Sequence, residues 1–456
     1  MSVGSEHRAP AAPRGENRER AVRIEYQRTL EWLYALQAAK GMDFKLERVA
    51  LALQRLGDPH RRFASIHIAG TNGKGSVAAM VHAGLIASGH RAALYTSPHL
   101  LRLTERIRVG DEEIAPAEVV QLAAEVRGVT TGAGAVLTFF EFLTVMAFLH
   151  FARQRVDVAV VEVGLGGRLD ATNVIDPTVA VITSIGLDHT EWLGNSIRAV
   201  AAEKGGIIKP ERPVVLGETG VEAVEVLRDL AARRGAPVTE VAGLYVSRDD
   251  GTIDFRGLGW NLPRLAPALR GGYQRRNAAT AVTCLAVASH RISVTEAAVR
   301  SGLASVRWPG RFEMLATPPV LTVLDGAHNP DGMRALVGEL RAMLAGRRLH
   351  VLFAVMKDKG WRRMIELLGP LCRSVTTTEV MSPRGQDAAV LAAAFRAHCP
   401  AAVEPEPERA WRRARAQGSP GDVLLVTGSL FLVGAVYPLC LAEVEASAEP
   451  RGFLRP

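Results

Sequence analysis

The chain has 456 residues, too many for one ordinary hydrophobic core, which calls for two domains. Its apolar share of 48% and charged share of 22% sit near the averages of soluble proteins and give no sign of disorder beyond the N-terminus. The net charge of +8 is mostly Arg scattered among Glu and Asp, without a dense basic block or aromatic interleaving. Nucleic acid is therefore not an expected partner, while small polyanions are.

Residues 1–24, rich in Arg, Pro, Ala and Gly, are expected to form a solvated tail, with a second short tail at 447–456. No uninterrupted apolar run approaches the roughly 20 residues that span a bilayer, so no membrane is expected. The longest candidate, Thr138 to Ala152, is broken by Glu141 and His150. Cys284, Cys372, Cys399 and Cys440 form no CxxC pair, as suits reduced thiols in a cytoplasmic protein.

In chain order, FASIHIAG predicts a strand and VAAMVHAGLIASG a helix. RAALYT, VDVAVVEVG, VAVITSIG and PVVLG continue the series, in the βαβ rhythm of a mainly parallel sheet. GTIDFRGLGWNLPRLAPALRGG is turn-rich and reads as a local β excursion, followed by a helix over 274–289. Pro309 and Gly310 punctuate the chain, and a second βα series follows: VLTVLDGAH, LHVLFAVM, RSVTTTEV and DVLLVTGSLFLVGAVY. The fold class is α/β. A P-loop ATPase domain with a mainly parallel sheet is expected over 25–308, and a smaller C-terminal Rossmann-like α/β domain over 309–446.

Between the first strand and its helix stands AGTNGKGS, residues 69–76. Backbone N–H groups at such a helix start lack intrahelical partners and favour phosphate. Gly73 and Gly75 let the backbone approach, Lys74 brings a cation, and Ser76 brings a hydroxyl. The usual loop has Ser or Thr directly after the Lys, and here Gly75 intervenes. The loop by itself leaves kinase, switch GTPase and ligase open.

Glu162 ends a buried-looking strand, where ligands gather in open α/β sheets, and is placed to hold Mg²⁺. Asp188 and His189 end the next strand, and Ser97 and His99 follow RAALYT. Mg²⁺ prefers oxygen, so residue chemistry leaves His189 open between a metal ligand and a structural role. Lys204 reads either as a surface Lys or as an amine modified by CO₂ to a carbamate. The second domain contributes turns carrying Asp325, His328 and the stretch Lys357 to Gly360, each of which also reads as cap or turn chemistry.

Taken as a set, these stretches resemble the folylpolyglutamate synthase/dihydrofolate synthase family of Mur-type ATP-dependent peptide ligases. The matching pieces are KLERV (45–49), AGTNGKGS (69–76), YTSPHL (95–100), LTFFEFLT (137–144), EVGLGGRLDATN (162–173), TSIGLDHTEWLG (183–194), EKGGI (203–207), RNAATA (276–281), PGRFE (309–313), DGAHNP (325–330) and TGSLFLVG (427–434). They occur in family order over about residues 28–440, and the interposed Gly75 is normal there. The resemblance implies that Gly73, Lys74, Gly75 and Ser76 hold ATP phosphates, and that Asn277, Arg311, Asp325 and His328 contact ATP from the other side. It implies Ser97, Glu162 and His189 as Mg²⁺ ligands, with two metal sites, and Lys204 as a carbamylated lysine. The catalytic set is then Lys74, Glu162, His189 and Lys204.

Thr138, Phe140 and Ala171 match positions that bind dihydropteroate, and Pro383-Arg384-Gly385 resembles a stretch of bifunctional members. The implied partners are ATP, L-glutamate, 7,8-dihydropteroate and reduced folates, with a monomeric cytoplasmic enzyme. The implied reaction joins glutamate to a carboxylate through an acyl phosphate. A monofunctional folylpolyglutamate synthase, a cell-wall ligase of the same fold and a non-enzymatic P-loop switch are the alternatives. The last lacks an NKxD-type base-reading motif and leaves the DGAHNP half of the chain unused.

Overall fold

A computed structural model of the protein describes residues 14–40, 45–130, 136–380 and 382–448. Its largest sheet has eight strands: β1 (Ala64–Ala69), β2 (Ala92–Tyr95), β3 (Ile107–Val109), β4 (Glu112–Glu113), β5 (Val158–Glu162), β6 (Val179–Ile182), β7 (Val214–Leu216) and β8 (Val238–Glu240). Their order is β4-β3-β2-β5-β1-β6-β7-β8. The stretch from β2 to β8 is parallel, and β3 and β4 add an antiparallel edge. β1, β2, β5, β6 and β7 are almost wholly buried along their length. That is why they read as continuous apolar runs and not as alternating ones.

Helices cover both faces. The helix Lys74–Ala87 is apolar nearly all round because it lies between the sheet and the helices Gly272–Ala288 and Glu296–Ser305. A Cβ on Gly302 would stand 2.6 Å from the Gly84 backbone nitrogen, so a side chain there would push the packed helices away from each other. On the opposite face the helix Phe139–Arg153 sits in a second apolar cluster with Leu33, Leu53 and Tyr95. Its start is a capping box: Thr138 N–H donates to Glu141 Oε2 at 2.7 Å, and Glu141 N–H donates to Thr138 Oγ1 at 3.4 Å. Arg48 Nη2 closes on Glu141 Oε1 at 2.7 Å. The charge that interrupts this apolar run is thus a paired, buried one.

The expected β excursion is a three-stranded antiparallel sheet of β9 (Tyr245–Ser247), β10 (Ile253–Gly257) and β11 (Trp260–Leu265). From Arg311 onward the strands form a separate six-stranded sheet: β12 (Arg311–Thr317), β13 (Val320–Asp325), β14 (Leu349–Phe353), β15 (Cys372–Thr377), β16 (Ala401–Val403) and β17 (Val423–Thr427). The order is β12-β13-β17-β14-β15-β16, parallel except for β12. The chain is thus an α/β protein with a large mostly parallel sheet and a separate C-terminal α/β domain.

Two expectations need correction. Helix begins at Arg14, so the proposed 1–24 tail is helical from there on, while 1–13 lie outside the described residues. The C-terminal tail is likewise helical at 447 and 448, and 449–456 lie outside. Among the described residues, the apolar run that most nearly suits a bilayer is Leu430–Ser447, not Thr138–Ala152. Leu432, Val433, Val436 and Cys440 of that helix are buried in the core of the C-terminal domain, and Pro438 inside it hid its length from the sequence.

Candidate active site

The strand order explains why distant motifs meet. β2, β5, β1 and β6 lie side by side, so their carboxyl ends deliver Ser97, Glu162, the phosphate loop and Asp188-His189 to one edge. Above that edge lies a cavity of about 1050 Å³ between the two domains. Thr71–Ser76, Ser97, Glu162, His189 and Lys204 line it from the large sheet, and Asn277, Arg311, Asp325 and His328 line it from the other side.

Gly73 opens the helix Lys74–Ala87 at φ +86, in the left-handed region. A Cβ on it would stand 2.5 Å from Asn277 Oδ1, so the loop and the helix Gly272–Ala288 meet without room for a side chain. A Cβ on Gly75 would stand 3.0 Å from Trp308 Nε1, so an indole packs closely over the loop at the residue between Lys74 and Ser76. Ser76 Oγ accepts from Gln274 Nε2 at 3.2 Å, and Asn277 Nδ2 donates to Gln274 Oε1 at 2.8 Å. Gln274 was not singled out from the sequence. Its signal was its position three residues before Asn277, on the same helix face.

Glu162 is buried, and its Oε2 accepts the Ser97 N–H at 3.2 Å. Burial raises its pKa against the pull of Lys74, the Ser97 N–H and Arg311. The carboxylate therefore sits in a place short of positive charge, which a divalent cation would supply. Among the described residues no three His, Cys, Asp or Glu side chains form a metal cluster. One carboxylate, one hydroxyl and one imidazole fit Mg²⁺ held jointly with substrate phosphates.

Lys204 is buried, and its Nζ donates to the Gly70 carbonyl at 2.9 Å. Burial, then the charge of Lys74, lowers its pKa to about 7. The surface-Lys alternative is thereby excluded. His189 stands at φ +51, and burial followed by the Lys359 charge lowers its pKa to about 4, so it is neutral. Lys359, in the Lys357–Gly360 stretch, reaches across from the C-terminal domain to Asp188 Oδ1 at 2.6 Å and to His189 Nε2 at 3.2 Å. Burial would raise the Asp188 carboxyl, but the His328 hydrogen bond and the Lys359 ammonium outweigh it and hold it well below the usual range.

Asp325 is buried at the end of β13 and accepts from Tyr273 Oη at 2.8 Å, Phe312 N–H at 2.9 Å and Ala327 N–H at 2.8 Å. Arg311 lies opposite it in the sheet register. His328 Nδ1 pairs with the Gly326 carbonyl at 2.8 Å, which turns Nε2 toward Asp188. His99 lies outside the cavity lining, its Nδ1 accepting from Arg106 Nε at 2.8 Å.

None of the three pteroate candidates lines the cavity. Thr138 is taken up in its capping box, and Ala171 is buried in the core next to it. The Phe140 ring covers Gly164, whose Cβ would stand 2.5 Å from Cζ, and Gly164 itself lines the cavity. The Pro383-Arg384-Gly385 stretch lies against the Lys357 loop, with Lys357 N–H donating to the Arg384 carbonyl at 2.9 Å.

A phosphate loop thus faces a second α/β domain across the cavity. The pattern of the Mur ligase middle domain matches residues 68–216, and that of the Mur ligase glutamate ligase domain matches 310–430. The dihydrofolate synthase/folylpolyglutamate synthase of Bacillus subtilis is 32% identical over 425 residues, covering 90% of this chain and 98% of the relative. A Haloferax volcanii protein described as a probable bifunctional folylpolyglutamate synthase/dihydropteroate synthase is 36% identical over 425 residues. It is matched by 90% of this chain, which spans 50% of its length.

Among solved structures, Escherichia coli FolC in complex with DHPP and ADP superposes with a TM-score of 0.84 at 33% identity, covering 91% of this chain and 98% of that one. The bifunctional Yersinia pestis enzyme complexed with AMPPNP and Mn ion gives 0.81 at 33% identity, covering 90% and 97%. The chain belongs to the dihydrofolate synthase/folylpolyglutamate synthase family of ATP-dependent ligases.

Proposed function

We propose that this protein joins L-glutamate to 7,8-dihydropteroate, forming dihydrofolate, and to the glutamate tail of reduced folates, each time at the expense of ATP. The observation that carries the reading is the single cavity shared by Lys74 and Ser76, by Glu162 and Lys204, and by Arg311 and Asp325 of the second domain. Residues 25–308 then act as the ATPase domain and 309–446 as the glutamate-ligase domain.

An ionised carboxylate is a poor electrophile, so it must be activated before an amine can attack it. The acceptor carboxylate attacks the γ-phosphorus, ADP leaves, and an acyl phosphate forms. The glutamate α-amine then attacks the acyl carbon, the carbon–oxygen bond to phosphate breaks, and the amide forms with loss of a proton. Gly73, Lys74, Gly75 and Ser76 hold the phosphates. Lys74 offsets the repulsion between carboxylate and γ-phosphate. Asn277, Arg311, Asp325 and His328 hold the nucleotide from the far side. Holding both reactants in line supplies on the order of 7–11 kcal/mol of the barrier.

Ser97, Glu162 and His189 would hold Mg²⁺, which neutralises charge on the phosphates; a second ion would use the carbamate of Lys204. For His189 to offer Nε2, the Lys359 ammonium must give up that contact and stay on Asp188. Phe140, with Thr138 and Ala171, would meet the pteroate. The enzyme works as a cytoplasmic monomer, without nucleic acid or membrane.

The test is ATP-dependent phosphate release with L-glutamate, comparing 7,8-dihydropteroate with reduced folate monoglutamates, alongside Lys74→Ala. Turnover with both acceptors, lost in the variant, is expected. Turnover with folates alone makes the enzyme a monofunctional folylpolyglutamate synthase and removes the pteroate roles of Thr138, Phe140 and Ala171. Silence with both overturns the folate reading.

A further inference from the structure

Asn329 stands at the N-cap of the helix Pro330–Leu344 and is 2% exposed. Its Oδ1 accepts from Gly332 N–H at 2.8 Å and from Asn72 Nδ2 at 3.3 Å. Its Nδ2 donates to Asn72 Oδ1 at 3.0 Å and to Asp188 Oδ2 at 3.0 Å. A primary amide has two donor hydrogens and two acceptor lone pairs, and here all four are used. The orientation is fixed by chemistry: Gly332 N–H can only donate, and the Asp188 carboxylate can only accept. A flipped amide would lose both contacts.

The backbone of Asn72 is held within the other domain. Its N–H donates to Ser184 Oγ at 3.1 Å, and its carbonyl accepts from Thr183 Oγ1 at 2.7 Å and Ser184 Oγ at 3.1 Å. It directly precedes Gly73 and Lys74, while Asn329 directly follows His328. The reciprocal amide pair therefore ties the phosphate loop to the strand-end turn that carries Asp325 and His328. With all four of its hydrogen-bonding positions filled, the buried Asn329 amide has one good arrangement and poor alternatives.

We infer that Asn329 is a positioning residue that clamps the C-terminal domain onto the phosphate loop through Asn72 and Asp188, keeping water from the acyl phosphate until the amine attacks. The second half of this statement rests on the ligase reading above. When the clamp is lost, water takes the place of the amine on the acyl carbon. The carbon–oxygen bond to phosphate breaks, inorganic phosphate leaves, and the acceptor carboxylate is regenerated with release of a proton. ATP is then spent without amide.

The experiment uses the full chain with Asn329→Ser, Asn72→Ala and the double variant. Ser retains an N-cap acceptor for the helix but cannot reach Asn72. In denaturant unfolding, the double variant is expected to lose less stability than the sum of the singles, because Asn72→Ala leaves the buried Asn329 amide without that partner and Asn329→Ser does the same to the half-buried Asn72 amide. Additive losses overturn the clamp. With ATP, L-glutamate and the acceptor, the wild type is expected to release one phosphate per amide, and Asn329→Ser at least two. A ratio of one in the variant overturns its role in positioning, since a purely structural defect lowers the active fraction and leaves the ratio unchanged. Absence of wild-type turnover with every folate acceptor overturns the ligase reading instead, and the unfolding cycle, which needs no substrate, still decides the contact.

Discussion

Lys204 is the residue whose chemistry the fold changes most. Its ammonium titrates at 10.5 in an unfolded chain and at about 7 when buried beside Lys74. Between these values the unfolded chain holds a proton that the folded chain has released, so stability rises with pH across that window; below about pH 7 the burial penalty is present in full. Denaturant unfolding in carbon-dioxide-free buffer should show this slope, and Lys204→Met should flatten it. A half-neutral amine near pH 7 is also what CO₂ needs to form a carbamate. Isotope-labelled bicarbonate should give a protein carbamate signal at pH 8 that Lys204→Arg lacks. At the phosphate loop, Lys74→Ala should lower kcat/KM by about 10²–10³, the usual loss for one donor to a developing charge, with circular dichroism unchanged. The loop was legible because strand, glycines, Lys and helix are contiguous. Lys359 passed as a turn residue because its partner Asp188 lies in the other domain.

The helix Phe139–Arg153 shows how an element is held by a contact far away in sequence. Its buried Glu141 caps its own first turn and takes the guanidinium of Arg48. Removing one partner of a buried pair leaves an uncompensated charge, at a cost of about 3–5 kcal/mol. Arg48→Ala should therefore lower the unfolding midpoint sharply, and it should weaken dihydropteroate more than ATP, because Phe140 lies in the same turn. Differential scanning calorimetry and the two KM values measure these separately. The capping box T-x-x-E was written in the sequence, but it was read only as an interruption of an apolar run, since Arg48 is not a neighbour along the chain. β16 and the edge strands β3 and β4 escaped notice for a different reason: they are two or three residues long and lack the apolar run that marks a central strand.

For the whole molecule, the cavity is lined from two domains, and on the proposed reading the nucleotide phosphates bridge them. MgATP should therefore stabilise the chain as a unit, by about 2.7 kcal/mol at a concentration one hundred times Kd. A thermal shift with MgATP in the wild type and its loss in Lys74→Ala is the expected result. A shift that persists in the variant would place the nucleotide away from the loop. Trp308, packed against Gly75 between the two halves of the chain, is the natural optical reporter of the same event.

The sequence by itself determined the α/β class and the ordered set of motifs, because strand periodicity, glycine turns and helix starts are local properties of neighbouring residues. It also named Ser97, Glu162, His189 and Lys204 as residues worth joining. Only the tertiary structure decided that they meet, through the order β2-β5-β1-β6, which places four strand ends side by side, with Lys204 brought in by the helix Ile197–Gly205. The same holds for the burial that brings Lys204 down to about 7, for the indole that packs over Gly75, and for the amide pair of Asn72 and Asn329. Each of these is a contact between residues far apart in the chain, and desolvation and steric exclusion depend on what surrounds a group in space.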